Sequence, residues 1–169
     1  MEKNIKYIEN IFFDAHSMYA DAIFRYCYFK VGDREVAKDI TQDVFVKIWE
    51  FLVKGENIEN MKAYLYKVAH NAVIDFWRKS KSIPDSNLSP LVFENAQASE
   101  KTELRAEYSV FLSMLKKISE EDRDLIVMRY VEDMTPGEIA QVLGVRENTI
   151  SVRITRAVSR LRDIADGNK

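Results

Sequence analysis

Thr135-Pro136-Gly137-Glu138-Ile139-Ala140-Gln141-Val142-Leu143-Gly144-Val145-Arg146 is the stretch from which the fold can be read. Thr135 can cap a helix, Pro136 carries the fixed φ suited to a first helical position, and Glu138 can reach back from three residues after the cap. A helix therefore starts here. Ile139, Val142 and Leu143 make its buried face, and Gly144 can take the left-handed conformation that ends so short a helix. In the helix that resumes from about Arg146, the helical period puts Ile150, Ile154, Ala157 and Leu161 on one side, with Val158 at its edge. A short helix, a glycine turn and a longer helix make a helix-turn-helix over Glu132 to Arg162.

If those apolar residues face a core, Ser151, Val152, Thr155, Arg156 and Ser159 face away from it, flanked by Arg146, Arg153, Arg160 and Arg162. A merely solvated face usually mixes Glu with Lys, whereas this one combines small polar groups, a methyl-bearing valine and arginine. That combination suits the DNA major groove. Arginine can pair with guanine, hydroxyls reach bases or phosphates, and valine can touch a thymine methyl. Arg129, just before the motif, is a candidate phosphate contact.

Working back from the motif, Ser119 with Asp122 resembles a capping pair for a helix carrying Leu125, Ile126 and Met128. Before it, Leu104, Tyr108, Phe111, Leu115 and Ile118 form the stripe of a helix starting near Glu103. Between Lys81 and Thr102, Pro84 and Pro90 lie among Ser, Asn, Asp and Gln, the composition of a linker. The expected organisation is all-α, two small helical domains over residues 1–82 and 103–169 joined by a flexible linker over 83–102.

The first domain reads as three helices. An aromatic-rich one runs from Ile5 to Phe29 and breaks at Gly32-Asp33, where Asp33 can cap the second, which reaches about Leu52. After Lys54-Gly55-Glu56-Asn57, a third runs from roughly Glu59 to Ser80. In the second helix Val36, Ile40, Val44 and Phe51 define a core side, leaving Gln42, Phe45, Val46 and Trp49 turned partly outward among Asp39, Asp43 and Glu50. Such a face either docks a basic or mixed protein surface or is covered by the aromatic first helix. In the third helix Met61, Leu65, Val68, Ala69, Ala72 and Phe76 share the core side. The reverse side holds Tyr66, Lys67, His70, Ile74, Trp77, Arg78 and Lys81, aromatics interleaved with bases as single-stranded DNA binding requires, or aromatics packed on a neighbouring helix.

Composition narrows the function classes. With 169 residues, 47% of them apolar, the chain can bury a core, and a net charge of −2 means that DNA binding must come from segregated charge. No apolar run approaches the roughly 20 residues that span a bilayer, and the start of the chain lacks the pattern of a signal peptide, so a cytoplasmic location and no membrane insertion are expected. The one cysteine, Cys27, reads as a thiol packed as a small apolar group. His16 and His70 are far apart, and there is neither metal-ligand spacing nor a Gly-rich phosphate loop. Asp39 and Asp43, one turn apart, read as a solvated face. The expectation is a protein with no catalytic residue, metal, cofactor or small-molecule substrate.

Three motifs in order then match a known family: Asp39-Ile40-Thr41-Gln42-Asp43-Val44-Phe45-Val46-Lys47-Ile48-Trp49, Ala63-Tyr64-Leu65-Tyr66-Lys67-Val68-Ala69-His70-Asn71 with Asp75, and the helix-turn-helix. Over nearly its whole length the chain resembles the bacterial RNA polymerase sigma factors of the extracytoplasmic-function group. The resemblance implies that Asp39, Gln42, Asp43, Phe45 and Trp49 face core RNA polymerase. It implies that Lys67, His70, Asn71, Asp75, Trp77 and Arg78 meet the −10 strand of promoter DNA, with Asn71 and Asp75 shaping a pocket for an extruded base. Arg129, Arg146, Asn148, Thr149, Ser151, Val152, Thr155 and Arg156 would meet the −35 element. It also implies an anti-sigma protein as partner, and a linker entering the polymerase cleft, where Asp85, Glu94 and Glu100 would suit a basic channel. Ser151 stands where the family often has a basic residue, Val152 where it often has serine, and His70 where arginine is common; an exposed His70 would make one contact pH-dependent. The competing reading, a helix-turn-helix regulator acting without the polymerase core, would need a sensor unit that the first half does not resemble.

Overall fold

In the computed structural model the described residues are 2–80 and 110–167, apart from 112 and 116. The chain divides into two compact units, Met1–Val92 and Phe93–Lys169. Every regular element among the described residues is helical. The expected linker, its three carboxylates Asp85, Glu94 and Glu100, Lys81, and the helix start near Glu103 lie outside the described residues.

In the first unit, α1 (Glu2–Val31), α2 (Arg34–Val53) and α3 (Met61–Ser80) all pack on one another. Gly32 has φ 73°, the left-handed turn that ends α1, and the Asp33 side chain accepts from Val36 N at 2.9 Å to start α2. Asn60 does the same for α3, accepting from Ala63 N at 2.9 Å. Ile23, Tyr26, Cys27 and Val31 of α1 meet Ala37, Val44 and Ile48 of α2 in the core.

One face needs correcting. The third helix buries Ala63, Leu65, Tyr66, Ala69 and Val73, while Met61, Val68, Ala72 and Phe76 are only half-buried. Its core side is thus rotated toward Tyr66 and Val73, because α3 is covered by two helices and one stripe cannot serve both. Tyr66 stacks edge-on against Tyr26 with centroids 5.3 Å apart, a contact between rings worth about 1 kcal/mol beyond burial. It does not face outward.

In the second unit Ser119 accepts from Asp122 N to start α4 (Glu120–Ile126), which continues as a π-helical turn over Val127–Val131. The capping box is formed on both sides: Glu138 N donates to the Thr135 hydroxyl at 3.2 Å, and Thr135 N donates to the Glu138 carboxylate at 2.8 Å. It opens α5 (Pro136–Leu143), and Gly144, at φ 68°, turns the chain into α6 (Glu147–Ala165). Ile139, Ala140 and Val142 of α5 and Ile150, Ile154 and Ala157 of α6 are buried with Leu115, Leu125, Met128 and Met134. Arg123 is also buried, donating to the carbonyls of Leu115 at 2.9 Å and Ile118 at 3.2 Å. A guanidinium there satisfies carbonyls that have no helical donor.

Cys27 is fully buried, and that burial pushes its thiol up from 9.0 to about 12, outweighing the lowering effect of its hydrogen bond with Thr41. A raised folded-state value keeps the proton on, so the contribution is intact below pH 9 and is lost as pH rises toward 12. Cys27 is expected to contribute a loss on the order of 1 kcal/mol per pH unit across that window in urea unfolding of the full chain, so that Cys27→Ala shows a shallower slope. At Gly144 a Cβ would meet nothing within 4 Å, so Gly144→Ala is expected to cost only the left-handed backbone strain, about 1–2 kcal/mol by the same measurement.

Candidate functional site

Three surfaces carry the residues singled out above. On α6 the burial of Ile150, Ile154 and Ala157 leaves Ser151, Val152, Thr155 and Arg156 exposed on the other side, with Arg146, Asn148 and Thr149 exposed at its start. Both hydroxyls turn back on the helix: Ser151 Oγ donates to the Glu147 carbonyl at 3.2 Å and Thr155 Oγ1 to the Ser151 carbonyl at 3.0 Å. The flanking arginines differ in their commitments. Arg153 and Arg162 are exposed, but Arg160 is bound to the buried carboxylate of Asp122 at 2.5 Å and ties α6 to α4. Arg129 is half-buried, donating to the Met134 carbonyl at 3.2 Å, with Asp133 at 3.7 Å and the Tyr130 ring 5.7 Å from its guanidinium carbon. It therefore braces the turn into α5, where Asp133 has φ 48°, as well as lying beside the motif.

The outward face of α3 exposes Lys67, Asn71, Ile74 and Arg78. Arg78 and Asp75 form an ion pair at 2.8 Å, with both side chains half or more exposed. His70 is half-buried rather than free in solvent, and its Nδ1 is 3.1 Å from the Tyr26 hydroxyl. Trp77 is half-buried against Phe76, centroids 5.2 Å apart, and its ring N–H is buried with no hydrogen-bond partner among the described residues.

The third surface is a groove of about 700 Å³ between α1 and α2, lined by Phe12, Phe13 and His16 on one side and Gln42, Val46 and Trp49 on the other. The open question about Phe45 resolves toward coverage: it is 5% exposed, beneath His16 at 4.7 Å and Phe12 at 6.2 Å between ring centroids. Phe45 is the floor of the groove and not an outward-facing side chain. Trp49 is half-buried, edge-on to Phe12 at 5.4 Å. Asp39, Gln42, Asp43 and Val46 remain exposed, Val46 by 54%. Coverage by the aromatic first helix, one of the two readings of this face, is what Phe12 and His16 provide. Its signal was available in the spacing of Phe12, Phe13 and His16, one helical turn that can face the turns carrying Gln42, Phe45, Val46 and Trp49.

Comparisons with known proteins meet this geometry. Residues 16–83 match the model for sigma-70 region 2, and residues 109–161 match sigma-70, region 4. The chain is 26% identical over 179 aligned positions to the extracytoplasmic-function (ECF) RNA polymerase sigma factor SigW of Bacillus subtilis, covering 96% of this chain and 95% of that one. It is 28% identical over 148 positions to the RNA polymerase sigma-E factor of Streptomyces coelicolor, covering 85% and 79%. Among solved structures, the sigma factor RpoE of Bartonella quintana, crystallised with the anti-sigma factor NepR, shares the fold with a TM-score of 0.69 at 20% identity, covering 94% of this chain and 98% of that one. Two matched regions in the order of the two helical units define the class: a sigma factor, a protein of transcription initiation. The chain belongs to the sigma-70 family of RNA polymerase sigma factors, in its extracytoplasmic-function group. No helix among the described residues is long and apolar enough to cross a membrane.

The groove separates packing from docking in a way that mutagenesis can read. Phe45→Ala is expected to cost about 3–5 kcal/mol of stability by urea unfolding, as for a large buried ring, whereas Val46→Ala is expected to stay within about 0.5 kcal/mol.

Proposed function

We propose that the chain binds core RNA polymerase through the α1–α2 groove and its acidic rim, contacts the −10 element through α3, and reads the −35 element through α6. The observation that carries this reading is the division of α6: one side closed over the core, the other presenting Val152, Thr155 and Arg156 to solvent. For polymerase docking, support comes from an apolar groove that Glu9 also lines, with Asp39, Asp43 and Glu50 exposed on the same helix as Gln42 and Val46, a chemistry that selects a basic amphipathic partner. Of the α2 residues that line the groove, Gln42 and Val46 are the exposed ones; Phe45 and Trp49 shape the surface from beneath.

At the −10 element, Lys67 and Arg78 would follow the strand, and Asn71 with Asp75 would edge the pocket for an extruded base. Trp77, half-buried, brings the exposed part of an aromatic face. Tyr66 has no part in this, since it lies in the core. A hydrogen-bonded His70 positions the start of the face more than it offers a free charge.

Neither unit alone needs to bind promoter strongly. Polymerase would hold two weak contacts at promoter spacing, so that the second is made at high effective concentration. A net charge of −2 fits such a division, because a free factor of low charge binds DNA weakly without sequence preference. A structural neighbour crystallised with an anti-sigma factor supports an anti-sigma partner that would cover one or more of these surfaces.

Run-off transcription with reconstituted holoenzyme tests the whole reading. Arg156→Ala is expected to weaken −35-dependent initiation by about 1–3 kcal/mol while leaving core binding unchanged. Val46→Glu is expected to reduce core binding at unchanged fold stability. Equal losses of both activities in both variants, or tight specific promoter binding by the isolated chain at physiological salt, would refute it.

A further inference from the structure

We infer that Val152 and Thr155 together read one A·T base pair of the −35 element, Val152 against the thymine methyl and the Thr155 hydroxyl as acceptor from the adenine amino group. This rests on α6 being the −35 reader, as proposed above. Val152 is 51% exposed near the middle of the outward face, with Thr155 one turn further on. A β-branched residue there neither packs in the core nor favours the helix, so its methyl groups are available to a ligand.

The second half of the inference comes from where the hydroxyl proton goes. Thr155 Oγ1 donates it to the Ser151 carbonyl at 3.0 Å, so what the oxygen presents outward is lone pairs. Ser151 does the same toward Glu147 at 3.2 Å, so neither hydroxyl is set up to donate into the groove. Guanine offers only acceptors on its major-groove edge and is a poor match; adenine N6 and cytosine N4 are donors and fit. Val152 then separates those two possibilities, because a C5-methyl belongs to thymine and not to cytosine. An A·T pair supplies the amino group and the methyl together. Arg156, one turn beyond Val152, is a donor and is left for guanine or phosphate.

The test begins with holoenzyme selecting its −35 sequence from a randomised promoter library. Each thymine of the selected duplex is then replaced in turn by deoxyuridine, which removes the methyl and keeps every hydrogen-bonding group. One position is expected to lose about fourfold in promoter affinity, the worth of burying a single methyl, and the loss is expected to vanish in Val152→Ala. Replacing the paired adenine by purine, which lacks the amino group, is expected to weaken binding by wild type and not by Thr155→Val. Indifference to deoxyuridine at every thymine, or a sensitivity unchanged in Val152→Ala, overturns the inference. If Arg156→Ala still removes −35 dependence in that case, α6 remains the reader. If Arg156→Ala leaves −35 dependence intact, the assignment of α6 fails and this inference with it.

Discussion

The burial of Ile150, Ile154 and Ala157 is the constraint on which the second unit depends. Three side chains at helical spacing are drawn out of water together, and a rigid helix then has no choice about where the remaining residues point. Ser151, Val152, Thr155 and Arg156 are outward because their neighbours are inward. The supports around α6 serve that orientation: the left-handed Gly144 sets the angle of entry, and Arg160 on Asp122 fixes the helix to α4. Arg123, buried within α4, holds carbonyls at the end of the preceding segment that would otherwise be left without donors.

The first unit solves a different problem. Three helices that all touch must bury more than one stripe each, and the aromatic residues of α1 fill the widened interior. Tyr26 meets Tyr66 and reaches His70, so core packing and the α3 surface are mechanically linked. Phe12 and His16 lie over Phe45, turning an apolar excess on α2 into a shaped groove with a closed floor. The surface left for a partner is narrower than the apolar residues of α2 suggest, and it belongs to two helices.

Charge is apportioned with similar economy. Arg123, Arg129 and Arg160 are engaged in internal contacts, while Arg146, Arg153, Arg156 and Arg162 are exposed along α6. Exposed positive charge is thus gathered along α6 in a chain whose net charge is slightly negative. In the family to which this chain belongs, such a distribution suits a subunit that works on DNA as part of a larger enzyme.

Local chemistry by itself determined a good deal. The Thr135 capping box, the Gly144 turn, the Asp33 and Ser119 caps and the period of the α6 stripe each depend on residues within a few positions of one another, and all were readable from the chain. Three family motifs in order identified the class as well. What tertiary structure decided were questions of coverage. Whether Tyr66 faces a strand or a core, whether Phe45 is surface or floor, and whether Arg160 is free for phosphate or bound depend on residues far away in the chain: Tyr26 for the first, Phe12 and His16 for the second, and Asp122, 38 positions back, for the third. Helical periodicity gives the direction of a side chain relative to its own axis, but only the packed neighbours establish whether that direction ends in water.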